Sequence, residues 1–303
     1  MTRKIFKLLY KLGLLRRFEQ IDAIHYLKRL ARGKHPADGG YFSERDALQF
    51  TPGPALKRTS FRGASVFFRC EMTYPLEWKI LQSGYFDRDV LELVADLARP
   101  GLAIADVGGN VGGLAIPWAL ALPEVEVHSF EPNPLALARL RHNLALNPEA
   151  KVHVVEKAVG ERPGTLEFHA FDGQYLGDSS FVQPPKIDHP GRVMAVEVIT
   201  LDDYFEGRRI EPGVIKLDIQ GYEAQALAGA ARLLSRARPY VVFEHEDQNF
   251  PQASQAARAK QVLADIFAEH HYDVYYITRF SRDLLLPVDW QRPLAGNLLA
   301  LPL

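Results

Sequence analysis

From Leu102 onward, short apolar runs alternate with helix-length amphipathic segments, and this alternation leaves few folds open to the chain. LAIADV, VEVHSF, VHVVEKAV, GVIKLDI and YVVFEHE are nearly continuous apolar runs of strand length. LAIPWALAL, LALARLRHNLAL, a segment from about Tyr222 to Leu234 and another around Gln255 to Glu269 carry helical spacing. Strands apolar on both faces need cover on both faces, so the pattern predicts an α/β fold, a doubly wound and mostly parallel sheet. DVYYIT and NLLALP have no helix between them and are expected to pair antiparallel at the C-terminal edge. TLEFHAF and MAVEVITL, joined through the polar DGQYLGDSS, read as a β-rich insertion before the fourth strand of the alternation. Upstream, SVFFRCEM reads as a strand, and DRDVLELVADL, about Asp87 to Leu97, as a helix stopped by Arg99-Pro100-Gly101.

The single cysteine, Cys70, excludes an intrachain disulfide and suits a reducing, cytoplasmic compartment. With no CxxC pair or tight histidine cluster in the sequence, a structural zinc site is not expected. No apolar run approaches the ~20 residues that span a bilayer. Charge is unevenly spread. Arg3 to Lys34 holds ten Lys or Arg against Glu19 and Asp22, while the rest carries 26 basic and 35 acidic residues. Ile5, Leu8, Leu9, Leu12 and Leu15 fall at helical spacing among Lys4, Lys7 and Lys11, which predicts a basic amphipathic helix. Such a helix suits peripheral contact with an anionic membrane or an acidic partner, or docking on its own domain. The acidic remainder makes nucleic acid an improbable partner.

ADVGGNVGG, Ala105 to Gly113, and HSFEPNP, His128 to Pro134, place acids and glycines at consecutive strand ends. The glycines are out of frame for the GxGxxG of dinucleotide folds, because Asn110 or Val111 stands where the middle glycine belongs. GK[ST] is absent from the loop as well. Asp106 would repel a pyrophosphate but suits a cationic sulfonium and ammonium, and Glu131 can accept two ribose hydroxyls. These features point to S-adenosylmethionine.

The ordered set IADVGGNVGG, SFEPNP, AVG, TLDDYF and IKLDIQGYEAQALAGA resembles the FkbM family of S-adenosylmethionine-dependent methyltransferases, over about Gly84 to the C-terminus. The resemblance implies the Rossmann-like class I methyltransferase fold over 84–303, with 1–83 as the basic helix and a variable extension. It implies methyl transfer to oxygen, usually a hydroxyl of a sugar or natural product, with a small-molecule or glycan acceptor as partner. By position, Asp106, Gly108, Asn110 and Gly112 would hold the methionine end, with Gly109 beside them. Glu131 and Pro132 would meet the ribose, and Lys157 and Ala158 the adenine. One departure stands out: similar proteins usually show IEGYE where this chain has Ile219-Gln220-Gly221-Tyr222-Glu223. Gln220 keeps the shape but not the charge, so a catalytically impaired binding or scaffold protein is the alternative.

Acceptor deprotonation needs a base or a metal. Lys216 and Asp218 share one face of the fourth strand, and Glu244, His245 and Glu246 end the fifth. His245, titrating near neutrality, is a candidate base beside Asp218, Glu244 and Lys216. Asp218 with Glu244 or Glu246 is a candidate Mg²⁺ set. Asp202 and Asp203 are expected to cap the turn at TLDDYF, and Asp178, Ser179 and Ser180 are candidates for closing an acceptor loop.

Overall fold

The computed structural model describes residues 54–71, 73–182, 191–277 and 285–303. The basic amphipathic helix read near the N-terminus lies outside the described residues. The chain opens with a hairpin, β1 (Ala55–Phe61) and β2 (Ala64–Cys70), and two helices, α1 (Pro75–Ser83) and α2 (Arg88–Leu97). The alternation follows: β3 (Ala103–Val107), α3 (Ala115–Ala121), β4 (Glu126–Phe130), α4 (Pro134–Ala145), β5 (Val152–Val155). After the insertion come α5 (Leu201–Glu206), β9 (Pro212–Leu217), α6 (Glu223–Ala228), α7 (Ala231–Arg236), β10 (Tyr240–Glu246), α8 (Ala253–Glu269), β11 (Tyr272–Tyr276), β12 (Leu286–Pro287) and β13 (Ala295–Pro302).

The main sheet has the order β12-β11-β13-β10-β9-β3-β4-β5. Strands β10, β9, β3, β4 and β5 pair in parallel, and β13 runs antiparallel between β10 and β11. This is the class I methyltransferase arrangement. The antiparallel edge expected from the sequence is present, with the C-terminal strand set one place inward of β11. All five residues of β3 are buried, because the sheet lies between two hydrophobic clusters. One holds Leu217, Leu227, Phe243 and Phe267, the other Ile80, Leu91, Trp118 and Leu140. Each such Leu or Phe, fully removed from water, contributes about 1.5–3 kcal/mol.

Local sequence sets the elements. α2 starts at Asp87, whose carboxylate accepts from the Val90 amide, and buries Val90, Leu91, Val94 and Ala95 along one face. The hairpin turns at Arg62 and Gly63, both at positive φ, in the two-residue geometry that matches strand twist. Its Phe61, Val66, Phe68 and Cys70 join the cluster around Trp118. Asn147 of the α4–β5 loop brackets Phe67, accepting from its amide at 2.9 Å and donating to its carbonyl at 2.7 Å, and so covers the free edge of β2.

Three expectations change in detail. VHVVEKAV divides into β5 and a two-residue β6 (Ala158–Val159), which leaves the main sheet for a three-stranded one, β6-β8-β7, with β7 (Gly164–Ala170) and β8 (Arg192–Ile199). The helix read from Tyr222 to Leu234 breaks into α6 and α7 at Gly229, where a Cβ would stand 2.1 Å from the Gly160 carbonyl oxygen. Asp202 caps α7 rather than its own turn, accepting from the Arg232 and Leu233 amides at 3.0 and 2.9 Å. Thr200 caps α5 instead, accepting from the Asp203 amide.

Candidate active site

The C-terminal ends of β3, β4, β9 and β10 open on a cavity of about 620 Å³, where ligands of doubly wound sheets bind. The insertion closes one side through a 3-10 turn at Gly173–Asp178, which contributes Tyr175, Leu176 and Asp178. Ser179 and Ser180 stitch that turn to the sheet. Ser179 Oγ accepts from Asn133 Nδ2 and the Phe171 amide, and Ser180 Oγ shares its hydrogen between the Ile219 and Gln220 carbonyls.

The glycine loop crosses the end of β3 against the exit of β9. Gly108 has φ +85°, and a Cβ there would stand 2.0 Å from the Asp218 carbonyl oxygen, so only glycine fits. Gly108, Gly109 and Asn110 line the cavity, as do Asp106, Glu131, Pro132, Lys157 and Ala158. Gly112 does not; it faces Leu140 and Ile116 behind the loop. Its place is therefore in packing the loop on α3 and α4.

Glu131 is buried, with Oε2 accepting from the Asn110 amide at 2.9 Å and Oε1 from the Asn133 amide at 2.8 Å. These bonds fix the carboxylate plane and leave each oxygen a free lone pair. Burial pushes its pKa up to about 7. Asp106, 1% exposed, accepts from Ser129 Oγ on Oδ2 at 3.2 Å. Its Oδ1 makes no hydrogen bond, nor does Asn110 Oδ1. Ser129 escapes a motif search, although parallel pairing places it opposite Asp106 in register.

Lys216 is buried, 3.5 Å from Asp106 and 3.8 Å from Asp218, and its ammonium donates to the Gly108 carbonyl at 3.3 Å. Burial works against its charge, but Asp106 and Asp218 outweigh it and hold the pKa above the ordinary lysine value. Beyond β9, Gln220 at φ +55° turns its amide toward two acids, donating to Asp218 Oδ1 at 2.8 Å and Glu244 Oε2 at 3.0 Å. Asn249 donates to its carbonyl at 3.2 Å, so every polar atom of Gln220 except its second lone pair is engaged. Glu223 holds the turn, accepting from the Ile219 and Gly221 amides, and burial pushes it up to about 7. The Asp218 charge, reinforced by burial, drives Glu244 well above the usual carboxylate range.

The three metal candidates line the cavity but are already committed. The Gln220 nitrogen occupies the place between Asp218 and Glu244 where a cation would sit, and Glu246 accepts from Gln248. The arrangement does not fit a Mg²⁺ bound by this trio. His245 is brought near the site but not into it. Alternation along β10 turns it away from Glu244 and Glu246, 2% exposed, against Asp247 at 3.3 Å and the Phe250 ring. Burial lowers its pKa, and no cavity surface is contributed by its ring.

The Methyltransferase FkbM domain family matches residues 106–274. The chain is similar to the 2-O-methyltransferase NoeI of Sinorhizobium fredii, 29% identical, over 55% of this chain and 73% of that one. It is similar to the 31-O-demethyl-FK506 methyltransferase FkbM of Streptomyces tacrolimicus, 26% identical, over 55% and 66%. The hexuronic acid methyltransferase AglP of Haloferax volcanii is 26% identical, over 52% of this chain and 62% of its own. The chain thus spans about two thirds of the length of these relatives. Among the described residues no helix is long and apolar enough to cross a membrane. With more than half of the chain matched, from Asp106 through β9, Asp218 at its exit and Glu244 on β10, this protein belongs to the FkbM methyltransferase family.

Proposed function

We propose that this chain is an S-adenosylmethionine-dependent O-methyltransferase acting on a hydroxyl of a sugar, glycolipid or polysaccharide, or related natural product. The observation that carries the reading is one cavity holding the buried Asn110 Oδ1 without a hydrogen-bond partner and Asp106 Oδ1, whose nearest cation is the Lys216 ammonium at 3.5 Å, beside the fixed Glu131 carboxylate. An ammonium and a pair of ribose hydroxyls supply donors for these acceptors, and Asn110 Oδ1 left unpaired is otherwise costly. Asp106 and Asn110 would take the methionine end, Glu131 and Pro132 the ribose, Lys157 and Ala158 the adenine side. The names of the relatives, a 2-O-methyltransferase and a hexuronic acid methyltransferase among them, support oxygen as the methyl acceptor and a sugar as its bearer.

S-adenosylmethionine supplies an electrophilic methyl for in-line displacement. The protein aligns the acceptor oxygen, excludes water through the insertion and takes the hydroxyl proton. Glu244 is the base in this reading: it lines the cavity, and its raised pKa suits proton capture. Asp218 sets that pKa, Gln220 holds both carboxylates in place, and Lys216 neutralises Asp106 beneath the loop. The division into an N-terminal extension, 1–83, and a methyltransferase unit, 84–303, belongs to the same proposal, with the basic helix making a peripheral membrane contact near lipid-linked acceptors.

Calorimetric titration with S-adenosylmethionine and its demethylated product, repeated on Glu131→Ala, tests the cofactor site. Micromolar binding abolished by the substitution is expected; equal binding by both proteins overturns the assignment. The Gln220 departure favours a second reading, a methyltransferase fold retained for binding. Tight cofactor binding with no methyl transfer to any sugar-hydroxyl acceptor, restored by Gln220→Glu, would establish it.

A further inference from the structure

A second cluster of ligating groups lies on β4 and β5, on strand positions well before the cavity. His128 and His153 face each other in register across the parallel pair, and Glu126 stands two residues before His128 on the same side of β4. Glu126 Oε2 is 3.4 Å from His128 Nε2 and 3.5 Å from His153 Nε2, and one donor atom from each residue falls within 4.8 Å of the others. A tetrahedral Zn²⁺ with bonds of about 2.0–2.1 Å separates its ligand atoms by about 3.3–3.4 Å. The observed spacing is that of an edge of such a tetrahedron.

His128 supplies an independent indication. It is 1% exposed, its Nδ1 lies 2.9 Å from the Tyr204 hydroxyl, and its Nε2 makes no hydrogen bond, with only the Glu126 carboxylate near it at 3.4 Å. A buried imidazole nitrogen that faces a carboxylate without a well-formed hydrogen bond, and whose other nitrogen is held by a second residue, has the arrangement of a metal ligand. His153 and Glu126 are exposed, with side chains 57% and 55% accessible, so the open side of the site admits an ion and a water. The two imidazoles stack at 4.5 Å with 12° between planes, and coordination requires the exposed His153 ring to turn out of that stack.

We propose that Glu126, His128 and His153 form a divalent transition-metal site, Zn²⁺ by donor set, that clamps the edge strand β5 to β4. The fourth position is a water. The clamp fixes the strand that leads into Glu131, without taking part in the chemistry at the cavity.

The test is titration of the chelator-stripped, full-length protein with Zn²⁺ alone, read by calorimetry and by thermal melting. Co²⁺ substitution reports coordination number through its visible absorption. Wild-type protein is expected to bind one equivalent, to melt higher with the ion, and to show a four-coordinate Co²⁺ spectrum. Glu126→Ala and His153→Ala, both at exposed positions that leave the core intact, should each weaken binding roughly tenfold or more and abolish the spectrum. Binding of equal strength in wild type and both variants would place the ion on other histidines and overturn the proposal, as would no binding by wild type. Cofactor titration of the same samples reads the cavity separately.

Discussion

Replacing Gln220 by Glu changes one atom of the active site from donor to acceptor at almost constant shape. The amide nitrogen lies 2.8 Å from Asp218 and 3.0 Å from Glu244, so the variant would set three carboxylates within hydrogen-bond reach. Like charges about 3 Å apart repel by about 5 kcal/mol at an effective dielectric of about 20, and the Asp218 contact alone supplies that much. Keeping one acid protonated at neutral pH costs about 4 kcal/mol for an ordinary glutamate. Proton uptake is therefore the smaller penalty, and the folded variant should hold one proton more than its unfolded chain. Its folded-state pKa is raised, so stability is greatest at low pH and falls as pH rises, by about 1.4 kcal/mol per unit. Denaturant unfolding of wild type and variant at about pH 5.5 and pH 7.5 should show the deficit widening by about 2–3 kcal/mol. Millimolar Mg²⁺ should restore stability in the variant alone, since a cation then replaces the lost amide. A deficit equal at both pH values, unmoved by Mg²⁺, would refute the clamp.

Other expectations follow from the same geometry. Affinity for S-adenosylmethionine should rise with pH through about 7, where buried Glu131 ionises, and calorimetry across that range in Glu131→Gln should lose the dependence. Lys216→Met removes the cation between Asp106 and Asp218 and should lower stability by about 3–5 kcal/mol, most of it recovered when Asp106→Asn is added; paired denaturation curves decide. Gly108→Ala forces a Cβ onto the Asp218 carbonyl at 2.0 Å and should abolish cofactor binding while lowering the melting temperature sharply. His245→Gln should leave the pH profile of methyl transfer unchanged, because the ring contributes nothing to the cavity; a shifted profile would return His245 to the chemistry.

The sequence alone determined the alternation of strands and helices, because strands covered on both faces cannot hide their apolar runs. It also determined the loop at Gly108, and the acids Asp106, Glu131 and Asp218, since strand ends in such a fold converge. Orientation within the site was not legible. YVVFEHE carries Glu244, His245 and Glu246 as neighbours, and only the pleat of β10 within the assembled sheet decides which of them face the cavity. Gln220 read as a lost charge, whereas packing makes it a two-acid clamp. Asp202 lies near Thr200 in sequence yet serves α7, some thirty residues on, because helix packing brings that terminus to it. Glu126, His128 and His153 showed no ligand spacing along the chain; the parallel register of β4 with β5 alone brings their donor atoms together. Periodicity is a local property and survives in sequence, while a site is a set of distances between distant residues and exists only once the sheet is assembled.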